Sequence, residues 1–480
     1  MGGLSAWYIN NKLAAEGTTN KTKQLILDFL NTASSAAAIA GTEHQEGPIF
    51  DDPDEGYGDQ YRDYDFGNTV AQRIIDKRNS LGGFTNLNQL AGIKYLGSDK
   101  FNDLLYSFSR RVTEISAIKF NYNDGSCDHD ALNIRKNYST IAPSPSWQKG
   151  LSNTYADSPA AYTIAETQGN TLCIQASFKA NGISAAYIRA IGGGRLGQVK
   201  ERMVAFDSLG ESGFETFELH NTTFHIHGVN AYNIAWRWQW RLNPTDPWRE
   251  LLHTRHRVFI IIKSPTAPWT QAVGNTSLPW TDALEIACDW ATGATDINTA
   301  AGLIAERYNG CGVVAYDTTS GATFYGWSTY YLTQMIDRLN GGVGLGGLVN
   351  CTDSANTVST LSNLLGCDLW QSRMGWSFRL NELMSIGYNT WAVPFGSGFS
   401  YHEVAWKDAC TENDNVFDGC LHVDGDADPT TSPHTPLLPG NMLFGNCTAT
   451  NYRLRLCPPT AEGCPKCEAQ PATRTRRPIA

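Results

Sequence analysis

The stretch Leu348-Val-Asn-Cys351-Thr-Asp353-Ser-Ala355, continuing Asn-Thr-Val-Ser-Thr-Leu361-Ser-Asn-Leu364-Leu365-Gly366, decides how the C-terminal half of this chain is read. Ala355, Val358, Leu361 (or Ser362) and Leu365 recur at helical spacing, which predicts a helix with one apolar face. Gly366 is a suitable stop for it. Asn350 is a fair N-cap and puts Cys351 in the first turn, where helix N–H groups and the helix dipole favour an anion. Thiolate, not thiol, is the reactive form of cysteine, so the placement suits a nucleophile. The plainer reading of a single cysteine is a small core hydrophobe.

Two further stretches bear on that choice. In Gly398-Phe-Ser-Tyr-His402-Glu-Val-Ala-Trp406, His402, Val404 and Trp406 alternate with Tyr401, Glu403 and Ala405, the period of a strand. In Val416-Phe-Asp418-Gly-Cys420-Leu-His422-Val-Asp424-Gly-Asp-Ala-Asp428-Pro429, Leu421 and Val423 face one way and Cys420, His422 and Asp424 the other. Two neighbouring strands facing a helix N-terminus can bring Cys351, His402 and Asp424 together, with the imidazole as base and the carboxylate fixing its tautomer. His402 follows Cys351 by 51 residues and Asp424 follows His402 by 22.

Taken in order, these pieces resemble the transglutaminase-like superfamily: Cys-x-Asp-x-Ala at a helix start, His with alternating apolar residues and Trp on a strand, then Asp near a strand end and a Pro. The resemblance covers about residues 280–430. It implies a papain-type α+β core that transfers acyl groups from protein or peptide amides through a thioester, with Cys351, His402 and Asp424 as the triad. Asp428, directly before Pro429, competes for the third place. The second oxyanion donor beside the Cys351 N–H is assigned to an indole, Trp327. The resemblance leaves open whether an amine or water accepts the acyl group, so Gln cross-linking, deamidation and amide or peptide hydrolysis are all within it. The non-enzymatic alternative is a structural, adhesion or assembly protein on the same scaffold.

Outward from this core, the 480 residues suggest about three domains and a tail. Residues 1–60 hold a helix near Lys21–Ile39 and an acidic linker, and residues 61–115 resemble a helix-hairpin-helix module. Its two hairpins read Asp65-Phe66-Gly67 and Tyr95-Leu96-Gly97, each without the first glycine and with acidic flanks, so a small helical packing module is favoured over DNA binding. Residues 116–268 read as an immunoglobulin-like β-sandwich. Trp236, Trp238 and Trp240 share one strand face there, as core rather than as a sugar-stacking platform, and Gly192-Gly-Gly-Arg-Leu-Gly197 marks a hairpin turn. Residues 269–440 form the α+β domain, with helices expected within 280–308 and 330–339. Residues 441–480 are a Cys-rich tail. The fold class expected is therefore a multidomain α+β protein.

Composition narrows the partners. Lys+Arg total 37 against Asp+Glu 47, a net charge of −10 that argues against nucleic acid. No apolar run reaches the ~18 residues of a membrane span. No cofactor or metal is expected, since Cys464-Pro-Lys-Cys467 lacks a second ligand pair and Asp424-Gly-Asp426-Ala-Asp428 lacks the bidentate Glu of a calcium loop. Twelve cysteines lean towards a secreted, disulfide-bearing protein reached without a recognisable signal peptide.

Overall fold

The computed structural model describes residues 3–15, 18, 20–39, 67–109, 111–122, 130–246, 248–269, 277–447 and 451–480. It is a mixed α+β structure with three hydrophobic cores. The acidic stretch 51–65 and most of the first predicted hairpin lie outside the described residues.

The first core is helical. Ala6–Ala15, Asn20–Thr32, Gly67–Leu81 and Ser98–Ser109 pack through Ile9, Ile26, Leu30, Val70, Ile74, Leu96 and Leu104. The Asn31 side chain pairs with both backbone groups of Phe84, at 2.8 and 2.7 Å, and so fixes the turn after the Gly67–Leu81 helix. Gly82 and Gly83 both have positive φ there, which glycine adopts without strain. At the second hairpin Leu96 is buried, so its apolar residue serves packing.

Nine strands follow: β1 (Arg111–Lys119), β2 (Trp147–Gln148), β3 (Pro159–Thr163), β4 (Cys173–Asn181), β5 (Ala185–Gly192), β6 (Gln198–Ala205), β7 (Glu211–His220), β8 (Asn230–Arg241) and β9 (Arg249–Ile261). They hydrogen-bond in the order β2-β1-β4-β7-β6-β5-β8-β9-β3, a single sheet where two separate sheets were expected. The seam between β7 and β6 is only two residue pairs wide, Gln198↔His220 and Val199↔Leu219. The sheet folds over at that seam, so Phe178 on β4 meets Trp238 on β8 at 5.5 Å between ring centroids. Trp236, Trp238 and Trp240 are all buried in the enclosed core, with the Trp236 indole donating to the Gly197 carbonyl at 2.8 Å. Gly193 lies in the β5–β6 turn at φ 84°, where a Cβ would stand 2.2 Å from that indole nitrogen. β9 lies parallel to β3, and its last four residues, 258–261, are apolar without alternation because both faces are covered there. Val258 and Ile260 face the sheet's own core, while Phe259 and Ile261 join the core of the C-terminal domain.

That third core surrounds the helix Cys351–Leu364, every residue of which is buried. The helices Thr281–Trp290 and Ile297–Asn309 pack against it, and Leu332–Leu339 belongs to the same core. Beside it lies a five-stranded antiparallel sheet in the order Met442–Leu443, Asn415–Phe417, His402–Trp406, Trp370–Met374, Ala469–Thr475. The last strand comes from the Cys-rich tail. The expected single apolar face of the Cys351 helix also gives way. Thr357 and Ser359 are buried yet satisfied, each hydroxyl donating to the carbonyl four residues back at 2.9 and 2.6 Å. Among the described residues, no helix is long and apolar enough to cross a membrane.

Candidate functional site

Cys351 is the first residue of its helix. Asn350 caps it: its side-chain oxygen accepts from the Asp353 N–H at 3.0 Å, and the Asp353 carboxylate accepts from the Asn350 N–H at 3.2 Å. The same carboxylate accepts from the Thr323 hydroxyl and from the N–H groups of Phe324 and Tyr325, at 2.6, 2.9 and 3.0 Å. Burial raises its pKa, and these hydrogen bonds work against that rise. Asp353 thus ties the segment leading to Trp327 onto the first turn that carries Cys351.

His402 opens its strand and is fully buried. Its Nε2 lies 3.0 Å from Asp418 Oδ2. Its Nδ1 has no hydrogen-bond partner, and the Cys351 side chain acts on the charge of the ring. Phe399 stacks on the imidazole at 5.2 Å and 20°. Burial opposes a charge on this ring. The Asp418 carboxylate and the Cys351 sulfur outweigh it and lift His402 to about 10.

Asp418 immediately follows the strand Asn415–Phe417, which pairs with the His402 strand through Ala405↔Phe417 and Trp406↔Val416. The chain therefore delivers Asp418 directly beside His402. Its Oδ1 accepts from the Cys420 N–H at 2.7 Å, and its Oδ2 also accepts from the Tyr452 hydroxyl at 2.7 Å. All the hydrogen-bonding partners of this buried carboxylate are thus in place.

The structure corrects the third member expected from the sequence. Asp424 does not meet His402. Its strand, Leu421–Asp424, leaves the five-stranded sheet after Gly419 and pairs instead with Met384–Ser385 and Pro436–Leu437. Its carboxylate is taken by His434 Nδ1 at 2.7 Å and by the N–H groups of Asp426 and Thr435 at 3.0 and 2.9 Å. Asp428, the competing residue, is exposed and accepts from Thr430. The available signal for Asp418 was topological: it ends the first strand after His402, and a carboxylate reaches a neighbouring strand more readily than one a turn further on.

Trp327 is 50% exposed and stands at the rim beside Tyr401, with ring centroids 6.3 Å apart. The Arg373 guanidinium lies over both rings, at 4.7 and 4.4 Å. Tyr401 OH approaches the Thr352 hydroxyl at 3.4 Å, next to Cys351. On the other side, Tyr316 and Phe399 enclose the site, with the 40%-exposed Phe395 above them. Cys351 retains 4% exposure and His402 none. In the tail, Cys447 and Cys464 form a disulfide on either side of the helix Tyr452–Leu456, which carries Tyr452. Among the described residues, no group of three or more His, Cys, Asp or Glu side chains is arranged to hold a metal ion.

No family model matches the chain, and no curated protein matches it. Among solved structures, the crystal structure of red sea bream transglutaminase is similar with a TM-score of 0.31 and 12% identity, over 56% of this chain and 50% of that one. The chain thus matches about half the length of that structure.

Proposed function

We propose that the C-terminal domain is a transglutaminase-like, papain-type unit that transfers acyl groups from protein or peptide amides through a Cys351 thioester. The observation that carries this reading is the arrangement at His402: Nε2 is held by Asp418 at 3.0 Å, and the side chain of Cys351, at a helix N-terminus, acts on the charge of the same ring. That order of groups favours a thiolate–imidazolium pair. The thiolate attacks the amide carbonyl. The oxyanion that forms is met by the Cys351 N–H, which has no partner within its own helix, and by the Trp327 indole N–H. Collapse of the tetrahedral species expels the amine, which takes its proton from His402. The thioester then passes its acyl group to an amine or to water, with His402 removing the acceptor's proton. Asp418 holds the ring and balances its charge throughout.

The test is alkylation of reduced, folded protein with limiting iodoacetamide across pH, with the modified peptide located by mass. The reading expects Cys351 to react well below the pH at which an ordinary thiol ionises, and expects His402→Ala to abolish that advantage. If Cys351 reacts no faster than the other cysteines, the reading falls. A non-catalytic scaffold then takes its place, a reading favoured by the near-complete burial of the site.

A further inference from the structure

The tail crosses beneath the site and leaves one cation buried there. Arg477 is 7% exposed and its ion-pair partner Glu403 is 1% exposed, with Nη1 2.5 Å from Oε1. The same Nη1 also donates to Asn356 Oδ1 at 3.1 Å, and Nε donates to the Trp327 carbonyl at 2.6 Å. One guanidinium therefore joins the helix of Cys351 through Asn356, the strand of His402 through Glu403 and the loop of Trp327, and its Nη1 also reaches Gln371 Oε1 at 3.4 Å. The groups it touches are themselves attached to the site. Glu403 accepts from the Thr352 hydroxyl at 2.9 Å, and Asn356 donates to the Gly326 carbonyl at 3.4 Å. The backbone beyond Arg477 continues the grip, with the Tyr330 N–H donating to the Pro478 carbonyl and the Ala480 N–H to the Tyr330 carbonyl, at 2.8 and 2.9 Å.

A buried ion pair is a poor source of stability, because desolvation offsets its attraction. A planar fork with fixed donor directions is, however, a good device for holding three elements in register, and lysine cannot reproduce it. We infer that Arg477 is a positioning residue that fixes the Trp327 loop against the Cys351 helix and the His402 strand, and so holds the indole proposed above as the second oxyanion donor. This rests on the acyl-transfer reading above.

Arg477→Lys is the variant of choice, since it keeps a cation beside Glu403 and leaves no buried charge alone. With glutamine peptides and an amine as substrates, kcat should fall by about 10²-fold, the scale of a lost oxyanion donor, with KM little changed. The pH profile of Cys351 alkylation should not move, because the thiol and His402 are untouched. Trp327→Phe should lower kcat to the same extent, and combining the two should add nothing further. Additive losses, an unchanged kcat, or an alkylation profile that shifts with kcat would each overturn the assignment. Amide hydrogen exchange separates this from the parent reading. In Arg477→Lys the Tyr330 and Tyr331 amides should exchange at least about tenfold faster, as expected for a loosened local unit. If the wild-type protein shows neither turnover nor a reactive Cys351, the acyl-transfer reading fails, and unchanged exchange would sink the structural part of the inference as well.

Discussion

Two aspartate–histidine pairs stand close together in this domain, and they differ in almost everything except chemistry. Asp418 and His402 meet at 3.0 Å, both buried, and the Cys351 side chain joins Asp418 in favouring a charge on the ring. Asp424 and His434 meet at 2.7 Å, but the far nitrogen of His434 reaches Glu382 at 2.9 Å, a carboxylate half exposed to solvent. The Trp391 ring lies against that second imidazole at 4.8 Å. A histidine held between two carboxylates is a cation with nothing to deprotonate, a clasp joining three chain segments. A histidine held between a carboxylate and a thiol can pass a proton. The contrast teaches that the group on the second ring nitrogen, not the presence of an Asp–His pair, distinguishes a site from a staple.

The contrast can be broken most directly at the two carboxylates. Asp418→Asn should lower turnover by roughly 10³–10⁴-fold, as expected when the tautomer-fixing partner is lost. Removing one member of a buried pair should also cost about 3–5 kcal/mol of stability in denaturant unfolding. Asp424→Asn should leave turnover and the alkylation of Cys351 unchanged. Equal losses in the two variants, or the larger loss at Asp424, would reverse the assignment of the third residue.

Tyr452→Phe sharpens the comparison, because only the buried pair has a tyrosine donor. Losing a hydrogen bond of ~1.5 kcal/mol to a charged oxygen should slow turnover by about tenfold. An unchanged rate would make Tyr452 a packing residue of the tail.

The pH dependence of stability tests the same pair by a separate route. His402 is lifted to about 10, above the ordinary 6.5, so its contribution is complete below pH 6.5 and is lost as pH rises through 10. His434 is also raised, first by its hydrogen bond to Asp424, and so contributes in the same direction. Asp424 is lowered: burial opposes this, and His434 with the backbone N–H groups outweighs it, so its share is lost as pH falls into the carboxylate range. Urea unfolding from pH 6.5 to 10 should therefore show a declining stability that His402→Gln makes shallower. A slope identical in wild type and variant would show that His402 is not charged in the folded state.

Much of this was legible in the residues. The pattern around Cys351 announced a capped helix, and Asn350 does cap it. Alternation at His402 announced a strand with Trp406 on it, and that strand is there. The three tryptophans at period two announced a core face, and all are buried. These features depend on interactions within a few residues of chain, where periodicity and capping act. Three things were not legible. The polar residues of the Cys351 helix concealed its complete burial, since a hydroxyl satisfied by its own backbone looks the same in sequence as one satisfied by water. The narrow β7–β6 seam made one folded sheet resemble two. The third site residue was expected at Asp424, near a strand end ahead of a Pro, whereas strand pairing brings Asp418 beside His402.

By itself, then, the sequence determined the helix start that carries the thiol and the strand that carries the imidazole, both set by local patterns. Which carboxylate faces His402, and that Arg477 and Tyr452 of the Cys-rich tail lie against the same site, only the tertiary structure decided. The reason is that a hydrogen bond between side chains requires a separation of about 3 Å in space. Strand register and the return of the tail set that separation, and spacing along the chain does not.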